Sequence, residues 1–272
     1  MGAQSRRDLI ESLVTSHGEI DFASLATEFG VSEMTIRRDV DALENKGVLR
    51  RVVGGAISLA GKSAEPSFKD RSTAATLAKM RIAEATAGLL VPNETVIIDS
   101  GSTALEVARA IKGRGLGLTV ITPSIQVAVE LADEEETTVI LTGGLVRPGE
   151  LSLIGFETEQ AFARYNCDTF IMGVAGVDAD RGVTDYHRDE SEVKHAALKV
   201  SDRVIVVADT SKLGRVQLVN IADTAQIDVL VTDADDSNAA VSAARALGVD
   251  VICVPVPAAA VSAVSAVTER AS

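Results

Sequence analysis

The sequence predicts an α/β protein in two parts: an N-terminal winged helix-turn-helix followed by an open, mostly parallel α/β domain. Three observations lead there. Residues 1–59 hold three short helical patterns and then two strand-like runs around Gly54-Gly55. From residue 77 onward, strand-like and helical patterns alternate. At 272 residues the chain is also long for one domain, since domains usually run about 100–150 residues.

In the first part, Leu9, Ile10, Leu13 and Val14 share one face of a helix that ends near Gly18. Asp21 suits the N-cap of a second helix, in which Phe22, Leu25, Ala26 and Phe29 recur at i, i+3, i+4 and i+7. Gly30 ends it, and Ser32 caps a third helix running to about Asn45. Residues 48–53 and 56–59 read as the two strands of a wing. In the third helix Ile36, Val40 and Leu43 face inward, which turns Arg38 outward with Thr35 and Arg37 on its flanks. Arginine can grip guanine through two hydrogen bonds, and Thr35 can reach a phosphate or a base edge, so this face suits a major groove. The plainer reading is a solvated face, with Asp39 and Asp41 as neighbours.

Residues 60–76 read as a linker, 77–256 as the α/β domain and 257–272 as a C-terminal tail. A helix at 77–90 precedes seven short, β-branched strand-like runs at 95–99, 118–122, 138–142, 169–174, 204–209, 229–233 and 251–255. They are nearly continuous in hydrophobicity, as strands buried on both faces are. Helical patterns intervene at 104–112, 125–132, 156–165, 191–200 and 239–247.

The net charge of −13 seems to oppose a nucleic-acid partner, whose affinity rests on Lys and Arg. Placement resolves this. Residues 1–75 carry 10 basic and 11 acidic side chains, the remainder 16 and 28. Arg37, Arg38, Lys46, Arg50 and Arg51 cluster in the near-neutral part. Cys167 and Cys253 form no disulfide framework. His17, His187 and His195 are too scattered for a metal site, and no metal or cofactor is expected. Asp185, His187 and Asp189 alternate as loop residues commonly do. The apolar tract at 254–267 is interrupted by Pro255, Pro257, Ser262 and Ser265, short of the roughly 20 residues a spanning helix needs. No signal-peptide pattern opens the chain, so a cytoplasmic protein with no membrane association is expected.

The run from Val31 to Val40, with Leu43-Glu44 and Arg50-Arg51-Val52-Val53-Gly54-Gly55-Ala56, resembles the signature of the DeoR family of regulators. The resemblance continues in Glu65-Pro66-Ser67-Phe68 with Arg71, Asp99-Ser100-Gly101-Ser102-Thr103, Thr142-Gly143-Gly144, Glu190 with Val193-Lys194, and Asp209-Thr210-Ser211-Lys212. It implies a DNA-binding domain joined to a sensor domain similar to sugar-phosphate isomerases, with a phosphorylated sugar as effector. On the DNA side it draws together Ser32, Thr35, Arg37, Arg38, Arg50, Arg51, Gly54 and Gly55. The chain departs from the family pattern at Val53, where a histidine is usual, at Pro123, where asparagine is usual, and at Ala175, where many members carry an acid.

The residues themselves say more about the sensor. Asp99–Thr103 stands where a strand ends and a helix begins, so free N–H groups and the helix dipole offer an anion site. Gly101 permits close approach, and Ser100, Ser102 and Thr103 add hydroxyls; a plain N-cap explains the loop equally well. Lys212 follows another strand end, where ligands collect in parallel sheets, although a surface pair with Asp209 is the alternative. Thr122, Ser124, Gly143, Gly144 and Arg147 lie at two further strand ends. Glu190 and Lys194 are spaced as an i,i+4 surface pair; the resemblance makes Glu190 a candidate acceptor for sugar hydroxyls.

These readings converge on a transcriptional regulator, expected as a repressor of a carbohydrate-utilisation operon. Its partners would be double-stranded operator DNA and a phosphorylated sugar effector, in a homodimer or higher even oligomer. The rival expectation is a sugar-phosphate isomerase-like enzyme with a DNA-binding appendage, using Glu190 or Asp178 as acid or base. A constitutive DNA binder with a degenerate sensor is a third.

Overall fold

The computed structural model describes residues 2–59 and 61–256. The tail expected at 257–272 lies outside the described residues. The chain divides between Pro66 and Ser67 into two compact units.

The first unit runs α1 (Ala3–His17), β1 (Glu19–Asp21), α2 (Phe22–Glu28), α3 (Glu33–Asn45), β2 (Leu49–Val52) and β3 (Gly55–Ser58). The caps are those the sequence suggests: Asp21 accepts from the Ser24 N–H and Ser32 from the Thr35 N–H, while Gly18 closes α1 at φ 75°. Ile10, Val14, Phe22, Leu25, Ile36, Val40, Leu43, Leu49 and Ala56 form its core. The wing carries a strand that the sequence pattern does not reveal, because three residues are too few to show alternation. β1 pairs antiparallel with β3, giving the order β1-β3-β2. Gly55 allows it: a Cβ there would overlap the Ile20 carbonyl oxygen.

Asp39 is not the solvated neighbour expected of it. It is buried on α3 and accepts from Arg6 Nε at 2.6 Å and Arg7 Nε at 2.8 Å, clamping α1 to the helix that displays Arg38.

The second unit opens with α4 (Phe68–Thr73) and α5 (Thr76–Ala87), then β4 (Thr95–Ile98), α6 (Ser102–Ile111), β5 (Thr119–Thr122), α7 (Ile125–Leu131) and β6 (Thr138–Leu141). After the hairpin β7 (Leu145–Val146) and β8 (Leu153–Ile154) come α8 (Phe156–Phe162), β9 (Cys167–Gly173), β10 (Gly176–Asp178), β11 (Gly182–Asp185) and α9 (Arg188–Leu198). The unit ends with β12 (Ser201–Val207), β13 (Val219–Ala222), β14 (Val229–Thr232), α10 (Ala239–Ala246) and β15 (Asp250–Cys253).

The seven strands expected from hydrophobicity form one parallel sheet, ordered β15-β14-β12-β9-β4-β5-β6. Consecutive residues point to opposite layers: Ile97 and Phe170 join one core, Ile98 and Ile171 the other. Burial on both faces explains why the runs read as unbroken apolar stretches. The chain lays down β4, β5 and β6 in one direction, then returns to place β9 on the other side of β4. The crevice beyond the C-terminal ends of β4 and β9 is therefore a topological switch point, where open α/β sheets bind ligands.

Several features of this unit went unread, the β7–β8 hairpin among them. β10, β11 and β13 form a separate antiparallel sheet. The stretch expected as a linker at 60–76 contains α4, capped by the Ser67 side chain on the Asp70 N–H, so residues 67–76 belong to the α/β unit. Six residues give too little periodicity to announce a helix. No helix among the described residues is long and apolar enough to cross a membrane.

Asp39→Ala should destabilise the N-terminal unit by about 3 kcal/mol, because it strands a buried guanidinium without its carboxylate. Urea unfolding followed by amide exchange in α1 and α3 checks this; loss of protection confined to α3 would contradict the clamp.

Candidate functional site

The first site is the outer face of α3 and the wing. Arg38 is exposed, and its guanidinium has no hydrogen bond or ion pair among the described residues. Arg50 on β2 is in the same state. Arg37 reaches Glu33 at 3.3 Å and lies 5.3 Å from the centroid of the Phe22 ring. Arg51 pairs with Asp41 of α3 at 2.5 Å, and its N–H donates to Glu44. Exposed pairs of this kind contribute about 0–1 kcal/mol, so a phosphate can displace them. The Ser32 and Thr35 hydroxyls lie 3.0 Å apart at the start of α3. Gly54, at φ 82°, makes the wing turn, whereas Gly55 is committed to packing against β1.

The second site is the switch point. Lys194 of α9 is buried, and its Nζ lies 2.7 Å from Asp99 Oδ2, 2.8 Å from Asp185 Oδ2 and 2.5 Å from the Gly173 carbonyl oxygen. The expected surface pair of Lys194 with Glu190 is therefore corrected, since both side chains turn inward to different partners. Glu190 accepts from Ser152 Oγ at 2.5 Å and pairs with Arg147 Nη1 at 2.9 Å. Asp185, read from sequence as ordinary loop, belongs to the centre of the site. Burial lifts the Asp99 carboxyl to about 6 against the opposing pull of Lys194. Burial works against the Lys194 charge, but Asp185 and Asp99 outweigh it and raise its pKa.

Gly101 leads into α6 at φ 108°, a backbone that glycine adopts readily, and no side chain caps the helix. The first turn of α6, beside Ser100, Ser102 and Thr103, thus begins without a side-chain cap. Other expected residues serve the frame. Thr122 donates to the Ile98 carbonyl at 2.6 Å and accepts from the Ser124 N–H, while Ser124 caps α7. The Gly143 carbonyl accepts from Thr158 Oγ1 at 2.7 Å, and a Cβ on Gly144 would overlap that same hydroxyl.

Lys212, just past β12, is partly buried and makes no ion pair or side-chain hydrogen bond among the described residues. Burial lowers its pKa; Asp209 opposes this, and Arg215 and Arg71 reinforce it. Lys79 of α5 is buried and donates to the carbonyls of Arg71 and Ala74, at the C-terminal end of α4. Burial brings its pKa down to about 8, with Asp209 pulling back and Lys212 and Arg71 pushing further. Arg71, Lys79 and Lys212 thus share one neighbourhood, and Asp209 is the carboxylate that bears on both lysines. Sequence reasoning missed Lys79, yet a signal existed: Lys79, Ala83 and Thr86 recur by four and three on the buried face of α5.

At the opposite, N-terminal end of the sheet, a cavity of 480 Å³ is lined by Val91, Glu94, Asp168 and Arg203 among others. Its buried carboxylate, Glu94, is already engaged by Arg203, Thr169 and the Val91 N–H. No group of three or more metal-ligating side chains occurs among the described residues.

A winged reading helix with unpaired arginines, on one chain with a switch-point α/β unit, defines a DNA-binding transcription regulator. Comparison with known proteins makes the assignment specific. The DeoR-like helix-turn-helix domain matches residues 6–61, and the DeoR C-terminal sensor domain matches 74–234. A protein of Escherichia coli O157:H7 named for repression of the aga operon is 34% identical over 93% of this chain and 94% of its own. The glycerol-3-phosphate regulon repressor of Escherichia coli K12 is 32% identical over 86% and 92%. Among solved structures, ribose 5-phosphate isomerase A of Methanocaldococcus jannaschii overlaps 50% of this chain and 53% of its own, at a TM-score of 0.37 and 16% identity. The chain belongs to the DeoR family, and with its relatives it is a regulator rather than an enzyme.

Lys79 ties stability to pH. Its folded pKa lies below its unfolded value of 10.5. Between about 8 and 10.5 the unfolded chain holds a proton that the folded chain has released, so this group's contribution to stability rises with pH. Urea unfolding of the α/β unit from pH 7.5 to 10 should show the parent gaining on Lys79→Met; parallel curves would count against a depressed Lys79.

Proposed function

We propose that the protein represses a carbohydrate-utilisation operon and that a phosphorylated sugar, bound at the switch-point rim, controls its hold on double-stranded operator DNA. The observation that carries this reading is Lys212. A partly buried ammonium without an ion-pair partner, near Arg71 and Lys79 and on the rim that carries the uncapped start of α6, is short of negative charge. A phosphate supplies that charge and enough oxygens for both ammonium and amide donors. Asp185, whose charge reaches Lys212, and the buried Glu190 of α9 suit the sugar hydroxyls. Pairing of half-sites about one helical turn apart favours a homodimer or higher even oligomer, and we infer that the protein acts in the cytoplasm.

Screening phosphorylated sugars for thermal stabilisation identifies the effector, since a ligand that binds only the folded form raises stability. Lys212→Ala should abolish that response while operator binding, on a duplex selected from a random library, persists. Equal affinity for a sugar and its phosphate, by calorimetry, would remove the phosphate reading.

On the DNA side, Arg38→Ala should cost about 1–3 kcal/mol of discrimination at one base position per half-site. Arg50→Ala should weaken binding to all sequences alike and lower the salt slope by about one. Anisotropy titrations across salt concentrations on selected and scrambled duplexes separate the two; exchanged behaviours would reverse the roles.

A further inference from the structure

The seven-stranded sheet has two edges, and they are finished differently. At one, β15 opens on Asp250, Pro255 and Pro257 follow it, and Arg245 donates to its Val251 carbonyl at 3.0 Å. Charge, proline and cover on the edge keep a strand from recruiting another. At the other edge β6 has none of these. Residues 137–146 contain neither a charged side chain nor a proline. The N–H groups of Thr138 and Thr142 point toward β5, donating to the Leu118 and Thr122 carbonyls. Alternation then turns the N–H and C=O groups of Val139 and Leu141 outward, where no strand among the described residues borders β6.

Apolar side chains flank this edge on both layers. Val139 packs into the layer of α7 and Ile140 into that of α8. Next to them Val129 of α7 is 69% exposed, Leu145 of β7 66% and Phe156 of α8 70%, and Leu141 and Val146 are exposed as well. Leu145 lies against Gly155, the neighbour of Phe156, and Thr158 of α8 donates to the Gly143 carbonyl just past β6.

We infer that β6 is a self-association edge, at which two copies of this chain pair their β6 strands antiparallel across a two-fold axis. This rests on the even oligomer proposed above and names the face that makes it. The exposed surface of these five apolar residues is about 500 Å² per copy, so pairing removes roughly 1,000 Å² from them alone, the level a specific interface must reach. Charge selects the direction. Glu134, Glu135 and Glu136 lead into β6; parallel pairing sets them beside their own copies, whereas antiparallel pairing sends them to opposite ends. The outward amides of Val139 and Leu141 then meet carbonyls of the second copy. Two reading units come to belong to one assembly, as paired half-sites require.

The test is sedimentation velocity of the full-length protein over a range of concentrations. Leu141→Lys and Phe156→Glu, both at exposed positions, should each raise the dissociation constant of one association step about a hundredfold. Mixing Leu141→Lys with Leu141→Glu should restore an association that neither shows alone, which a folding defect cannot do. In the parent, amide exchange at Val139 and Leu141 should slow as concentration rises. An oligomeric parent matched by Leu141→Lys in self-association overturns the β6 face and leaves the oligomer standing. Slow exchange at both amides in the diluted monomer means that the chain covers its own edge, and overturns the face equally. If Leu141→Lys fails to fold, Phe156→Glu decides on the same terms. A parent that stays monomeric at every concentration removes both readings.

Discussion

One lysine buried between two carboxylates holds the sensor crevice in shape. Lys194 comes from α9, Asp99 from the end of β4 and Asp185 from the end of β11, and the Gly173 carbonyl at the end of β9 takes a further ammonium hydrogen. Four chain segments are fixed by one ammonium group, and Asp99 lies 95 residues from Lys194 in sequence. Burying a charge is costly unless it is paired and its hydrogen bonds are complete, and here they are. The switch point exists because of strand order, but its width is set by this cluster: Asp99 also receives the Gly173 N–H at 3.0 Å, locking β4 to β9 at the mouth of the crevice. The serine loop that follows Asp99 is consequently presented at a fixed place, leading into a helix with no side-chain cap.

The charge of the chain makes sense once the pairs are known. In the α/β unit four of the acids, Asp99, Asp185, Glu150 and Glu190, serve as anchors for buried or half-buried cations. In the reading unit the acids do a comparable job. Asp39 consumes Arg6 and Arg7, and Asp41 and Glu33 hold Arg51 and Arg37 loosely. What remains for DNA is a short list of unpaired cations on one face, which matters more to binding than the net charge does.

The seven sheet strands and their helices were legible because burial on both faces leaves a strong one-dimensional record. The helix caps Asp21 and Ser32 were legible because their partners lie within three residues. The missed features share the opposite property. Asp39 meets α1 more than thirty residues away, Asp185 finds Lys194 only once α9 packs on the sheet, and Arg71 meets Glu150 across 79 residues. No periodicity records such pairings. α4, β1 and the β7–β8 hairpin escaped for a simpler reason, being too short to build up a period.

Motif residues then divide by what they have left to offer. Gly55 and Gly144 look like binding glycines in sequence, yet each stands where a Cβ would collide with a neighbouring element, so packing alone requires them. Thr122 and Ser124 sit at a ligand rim but have spent their hydroxyls on the frame. Gly101, by contrast, has open space where its Cβ would be, and its positive φ turns the chain into an uncapped helix. Arg38, Arg50 and Lys212 likewise keep polar groups that nothing among the described residues satisfies. A fold tolerates such groups only where water or a partner satisfies them. Within one motif, the residue that the frame does not use is the one available for recognition.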